Sequence, residues 1–282
     1  MFTIKYIISI IHAIIKKWGR RHFMNNRKYM QVFMAVQKAL FLRELNMRMS
    51  VSRMGLFWTF FQPFFQVLVF IIIKVYIFSQ MIHTYDYTVF LALSFIAYYM
   101  FKNIISKSLG AFEANKALFT YKQVKPIDTI LARTLMEVFI TSIILIIFTS
   151  IGFYFQFDMN VENFNMVFFA YIWLIIFSFS LSIFLAILNT YVKSVQNIFN
   201  MLMVVFVFCS ALFYTIADLS PELQTILLLN PLTHFIEMIH GAYFYSLDDT
   251  YVDYTYMTLW TIIPLYMGLW FYMKLERRIV SL

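Results

Sequence analysis

The sequence predicts an all-α polytopic membrane protein: six transmembrane helices, an amphipathic N-terminal interfacial helix and a re-entrant outer hairpin between spans 5 and 6. Three observations lead there. Of the 282 residues, 62% are apolar, and mean hydropathy is +0.76; soluble domains average about 45–50% apolar. The apolar residues run in stretches near the roughly 20 residues that a helix needs to cross a hydrocarbon core. The third observation is charge. Segments 79–90, 156–165 and 218–253 hold none of the 22 Lys and Arg but nine of the 14 acids. Basic residues stay on the cytoplasmic side, so these segments are expected outside, with both termini in the cytoplasm.

Residues 1–30 read as a cytoplasmic N-terminal extension. Their apolar run precedes Lys16, Lys17, Arg20 and Arg21, the reverse of the order in a secretory signal. Residues 31–54 read as an amphipathic entry helix, with Phe33, Val36, Leu40 and Met47 on one face and Lys38 and Asn46 away from it. Arg43, Glu44, Arg48 and Arg53 crowd its second half. A solvated helix would suit this pattern. A helix in the inner interface with arginines on lipid phosphates suits it better, because the membrane run starts directly at Gly55.

The six-span domain, 55–273, follows in order. Span 1 covers 55–78, with Trp58 near its start and Gln62-Pro63 breaking one backbone bond inside. Span 2 covers 87–105. Segment 106–125 is polar, basic and rich in helix formers, so a short helix outside the lipid is expected. Its Phe112 and Phe119 are seven apart and should share one exposed face, flanked by Glu113 and Lys116 and followed by Tyr121 and Lys122. Pro126 and Asp128 start the next helix. Span 3 covers 129–155, where Arg133 and Glu137, four apart, are positioned to pair with each other. Span 4 covers 164–188, a polar loop 189–196, and span 5 covers 197–216. In 218–253 two short apolar helices flank Asn230-Pro231, and neither is long enough to cross, which predicts the hairpin. Span 6 covers 254–273 with Pro264 inside, and 274–282 is a basic cytoplasmic tail.

Chemistry is sparse. The six glycines include no two spaced as a phosphate-binding GxxxxGK[ST] loop requires. No nucleotide site, catalytic residue or cofactor is therefore expected in this chain, and a separate subunit must supply any ATP hydrolysis. His234, Glu237 and His240 recur every third residue, a spread that offers a metal two ligands at most. No metal site is expected, and polar side chains facing outer solvent or a neighbouring helix account for them. Cys209 alone cannot form an intrachain disulfide. The net charge of +8 flanks apolar spans and forms no basic domain, which argues against nucleic acid. Lys74, Lys102, Arg133 and Glu137 lie towards span ends, against a secondary transporter that couples ions at mid-membrane.

Three stretches resemble the permease subunit of ABC-2 type exporters, more narrowly the capsule polysaccharide export inner-membrane proteins. They are LFLRELNMRMSVSRMGLFWTFFQP from Leu40 to Pro63, ALFTYKQVKPIDTILAR from Ala117 to Arg133, and NPLTHFIEMIHGAYF from Asn230 to Phe244. The resemblance covers roughly 32–278 and implies a homodimeric channel in the bacterial inner membrane, bound to two copies of an ATP-binding subunit. It implies that a lipid-linked polysaccharide is the cargo and that partners in the periplasm and outer membrane continue its path. Arg43, Glu44, Arg48, Arg53 and Trp58 would form the gate where substrate enters. Phe112, Glu113, Lys116, Phe119, Tyr121, Lys122 and Asp128 would couple to the ATPase. Asn230, Pro231, His234, Glu237 and His240 would form the outer hairpin, with His240 where the family usually has arginine. Another lipid-linked glycan, of the O-antigen or teichoic-acid type, would fit the same pattern. An integral membrane glycan-modifying enzyme would need a cluster such as His234 to His240.

Overall fold

The computed structural model describes residues 26–50, seven residues between 51 and 84 (Phe57, Trp58, Phe61, Phe65, Leu68, Val69 and Ile72), and residues 85–281. The expected extension before residue 26, most of span 1 and Arg53 lie outside the described residues. Among these residues every regular element is helical. In chain order they are α1 (Asn26–Ser50), α2 (Tyr87–Leu109), α3 (Ala111–Ala114), a 3-10 turn (Lys116–Thr120), α4 (Pro126–Tyr154), α5 (Phe164–Tyr191), α6 (Ser194–Cys209), a second 3-10 turn (Ile216–Asp218), α7 (Pro221–Leu227), α8 (Pro231–Tyr243) and α9 (Tyr254–Ser281).

The core forms around α2. Asp86 caps it, its carboxylate accepting from Thr88 N at 2.8 Å. Seventeen of its residues are buried, on every side of the helix, as expected where an apolar helix is surrounded by others. α4, α5, α6 and α8 enclose it. Pro126 occupies the first turn of α4, and Lys125 N donates to Asp128 Oδ2 at 2.9 Å; Asn163 caps α5 through Met166 N. Helices α5 and α9 approach closely where Gly268 faces Ile183 and Phe184, and a Cβ there would lie 3.0 Å from Phe184 N. Ser180 Oγ donates to Thr261 O across the same interface at 2.7 Å.

Three helices among the described residues are both long and apolar enough to cross a membrane: α2, α4 and α5. Three expectations need correction. The fifth span does not run helically to 216. α6 is 16 residues, about 24 Å at 1.5 Å per residue, and it ends at Cys209. Ala211 then takes a left-handed φ of 54°. The Cys209 carbonyl is taken up by Asn230 Nδ2 and Thr233 Oγ1, each at 3.0 Å, so the helix terminates on tertiary partners. The loop 189–196 shrinks to Val192 and Lys193 between α5 and α6. Residues 274–281 are not a separate tail, since α9 is continuous to Ser281 and Ile279 is buried.

Candidate functional site

Polar side chains gather at two ends of the helical assembly: where α1 crosses the start of α4, and where α8 packs on the start of α2. At the first end α1 lays Val36 and Leu40 against Ala132. Beside this apolar seam runs a chain of charges. Arg48 Nη2 lies 2.5 Å from Glu137 Oε1 and 3.4 Å from Glu44 Oε1. Arg133 Nε lies 3.7 Å from Glu44 Oε2, and Arg133 Nη1 donates to Lys107 O at the end of α2. Arg43 Nη1 donates to Asn115 Oδ1 at 2.5 Å, while Asn115 Nδ2 donates to Ala111 O. Gln37 Nε2 donates to Asp128 O at 3.4 Å. The Glu137 side chain is only 2% exposed, a depth at which a carboxylate needs a cation.

This changes two expectations. Glu137 and Arg133, four apart on one helix, do not pair with each other; each takes a partner from α1. Arg43 and Arg48 are held by Asn115 and by the two glutamates rather than turned towards lipid phosphates. A shallow cleft opens beside them, lined by Leu40, Arg43, Glu44, Asn115, Thr129 and Arg133 among others. Trp58 is exposed, in a ladder of rings: Trp58 meets Phe61 edge-on at 5.6 Å, and Phe57, Phe61 and Phe65 stack at 5.0 and 5.6 Å.

The segment from Ala111 to Asp128 is also rebuilt. It is not one helix but α3, a 3-10 turn and a linker. Phe112 and Phe119 do not present an exposed face. Both are buried in a cluster with Ile130, Ile183, Ile187, Tyr272 and Ile279. Packing on α5 and α9 covers the face that their spacing creates. Of the residues expected to couple in this segment, Glu113, Lys116, Tyr121 and Lys122 are left exposed, and Glu113 lies 3.4 Å from Lys193. Asp128 is buried as the cap of α4.

At the other end, segment 218–253 holds the short helices α7 and α8, separated at Asn230-Pro231. Asn230 caps α8 through Leu232 N at 3.1 Å, and Pro231 fills its first turn. His234, Glu237 and His240 do not face solvent; all three are buried. His234 accepts from Asp253 N at Nδ1, so its Nε2 carries the hydrogen donated to Leu228 O at 2.9 Å. Glu237 Oε1 accepts from Ile216 N at 3.1 Å. Burial pushes its carboxyl up to about 7, the Ile216 N–H offsetting part of that and Asp218 adding to it. Ser94 Oγ donates to Phe90 O, which leaves His240 Nε2–H to donate to Ser94 at 2.8 Å. Burial lowers His240 to about 3, and its ring stacks on Phe90 at 3.8 Å.

Sequence reasoning missed Asn115, Lys193 and Ser94, and misplaced the partner of Glu137. One signal was present: Arg133 and Glu137 are the only charged residues in 129–155, and ionisable groups in an apolar helix face a partner.

The family model described as ABC-2 type transporter matches residues 32–244. Polysialic acid transport protein KpsM of Escherichia coli is 29% identical over 248 residues, 86% of this chain and 95% of that protein. Capsule polysaccharide export inner-membrane protein CtrC of Neisseria meningitidis serogroup B is 25% identical over 235 residues, covering 82% of this chain and 87% of its own. The capsule polysaccharide export inner-membrane protein BexB of Haemophilus influenzae is 26% identical over 235 residues, covering 83% and 88%.

Proposed function

The chain belongs to the ABC-2 type transporter family, and from that premise we propose that it is the inner-membrane permease of a capsular polysaccharide exporter. The observation that carries this reading is its likeness, over more than four-fifths of its length, to relatives named for polysialic acid transport and capsule polysaccharide export. It is a transport subunit, and ATP hydrolysis takes place in an ATP-binding partner. In the full reading two permease chains and two ATP-binding chains form the complex. Both termini are cytoplasmic, and six spans carry a lipid-linked polysaccharide outward. The charge distribution supports this orientation, because no Lys or Arg occurs in 79–90, 156–165 or 218–253.

On this topology the α1–α4 crossing lies at the cytoplasmic face and the α7–α8 hairpin at the outer face. The exposed Glu113, Lys116, Tyr121 and Lys122 supply a charged surface suited to docking an ATP-binding subunit. Arg53 and Trp58, at the start of the membrane run, are the gate residues assigned to the substrate's anionic lipid head and sugars. Guanidinium forks suit phosphate oxygens, and aromatic faces suit sugar C–H faces. Co-purification with the cognate ATP-binding subunit, followed by ATP hydrolysis and polysaccharide export in the reconstituted complex, tests the reading. A complex that hydrolyses ATP but moves no capsular polysaccharide, or a chain that recruits no ATP-binding subunit, overturns it.

A further inference from the structure

The charges between α1 and α4 form a closed set. Arg48 bridges Glu44 and Glu137, and Arg133 bridges Glu44 and the end of α2. The adjoining bond from Arg43 reaches Asn115, within the segment that presents Glu113 and Lys116. Asn115 in turn bonds Ala111 O. One continuous path of polar contacts therefore runs from the exposed segment to the gate helix without passing through lipid or solvent. The side chains of Arg48, Glu44 and Arg133 are 12–15% exposed and Glu137 is nearly inaccessible, so bulk solvent screens them little.

We propose that Glu44, Arg48, Arg133 and Glu137 are positioning residues that lock the gate helix to span 3, so that displacement of the ATPase-facing segment moves the gate. Arg48 on this view binds protein carboxylates and not the substrate. The proposal rests on the exporter reading for its consequence, but the lock itself is a property of this chain.

A charge swap separates the roles. Four charges make six pairings, four attractive and two repulsive as the residues stand. Arg48→Glu alone, or Glu137→Arg alone, makes attractive and repulsive pairings equal in number. Arg48→Glu with Glu137→Arg restores the original balance, because both acids then face both arginines across the interface. Leu40→Cys with Ala132→Cys in a Cys209→Ala background reports whether α1 sits on α4, since Leu40 and Ala132 pack together. The full chain, with its ATP-binding subunit, is assayed for cross-linking, ATP hydrolysis and capsule at the cell surface.

Each single reversal is expected to lower cross-linking at least fivefold and export at least tenfold while ATP hydrolysis continues, and the swap to restore both within threefold. Glu137→Gln, which keeps the shape and loses only the charge, gives a smaller loss of both. Reversals that cross-link and export like the parent overturn the proposal. A swap as poor as the single variants, in protein that inserts normally, also overturns it and returns Arg48 to a substrate or lipid anion. If the parent hydrolyses ATP yet exports no capsule, the exporter reading fails, and the cross-linking arm still decides the lock.

Discussion

The two ends of the molecule bury polar groups by different means. Where α1 crosses α4, ion pairs of opposite charge dominate: Arg48–Glu137 and Arg133–Glu44 cross between the helices, and Arg48–Glu44 lies within α1. Where α8 meets α2, each buried group bonds backbone or a neutral hydroxyl: His234 to Leu228 O, Glu237 to Ile216 N, His240 to Ser94. Long ion-paired side chains can re-aim as helices slide, since an arginine has several donors and a carboxylate two acceptors. A bond to one backbone atom fixes register. The α1–α4 end is thus built to shift and stay paired, and the α8–α2 end to hold its place. Buried groups also fail differently: removing one member of an ion pair strands a charge, whereas removing a neutral partner strands one hydrogen bond.

Four variants and one control test that contrast and its surroundings. The largest loss is expected from Phe119→Asp, which sets a carboxylate among Ile130, Ile183 and Tyr272; burial of an unpaired charge should cost about 4 kcal/mol or more. Folded protein recovered in detergent should collapse, while Tyr121→Asp, on an exposed residue, leaves it unchanged. If Phe119→Asp folds normally, the cluster on α5 and α9 does not form. Next is Glu137→Ala, which leaves Arg48 with Glu44 alone and should cost about 3 kcal/mol. A melting temperature equal to the parent's would make the α1–α4 end energetically idle.

The α8–α2 end carries a pH signature. Glu237 titrates near 7 in the fold against an ordinary 4.5, so the unfolded chain gives up its proton first. The contribution of Glu237 to stability is full below about pH 4.5 and falls as pH rises towards 7, by up to about 3 kcal/mol at 1.36 kcal/mol per pKa unit. His240 acts oppositely. Its value of about 3 against 6.5 means stability is lost as pH falls below 6.5. Melting curves of the parent and Glu237→Gln between pH 4.5 and 8 isolate the first effect, and parallel profiles would remove it. The smallest change is expected for Lys122→Ala, within about 0.5 kcal/mol for an exposed residue, with weaker capture of the ATP-binding subunit. Unweakened capture would take Lys122 off the docking surface.

Local signals made much of the fold legible. Pro126 and Asn230-Pro231 sit at helix starts because caps and first-turn prolines act within a few residues. Failures came where the partner was distant in the chain. The seven-residue spacing of Phe112 and Phe119 does define a face, but spacing cannot say that α5 and α9 converge on it. The pairing of Arg133 with Glu137 lost to Glu44 and Arg48, 89 residues before each of them. Apolar composition carried span 5 to 216, yet Asn230 and Thr233 capture the Cys209 carbonyl and end the helix earlier. The cluster of Arg43, Glu44 and Arg48 stands out in the sequence because charges stop abruptly at Gly55; its partners Asn115, Arg133 and Glu137 do not.

The burial of Ile279 beside Phe112 and Phe119 bears on how the chain is made. A ribosome emits Phe112 and Phe119 long before it emits α9. Throughout translation of α4 to α8 those two rings lack part of their cover, while the core around α2 is already gaining its neighbours. The cytoplasmic end on the proposed topology is therefore the last to close during biogenesis. Until then, a nascent permease shows quality-control factors a sticky aromatic pair that the finished protein hides.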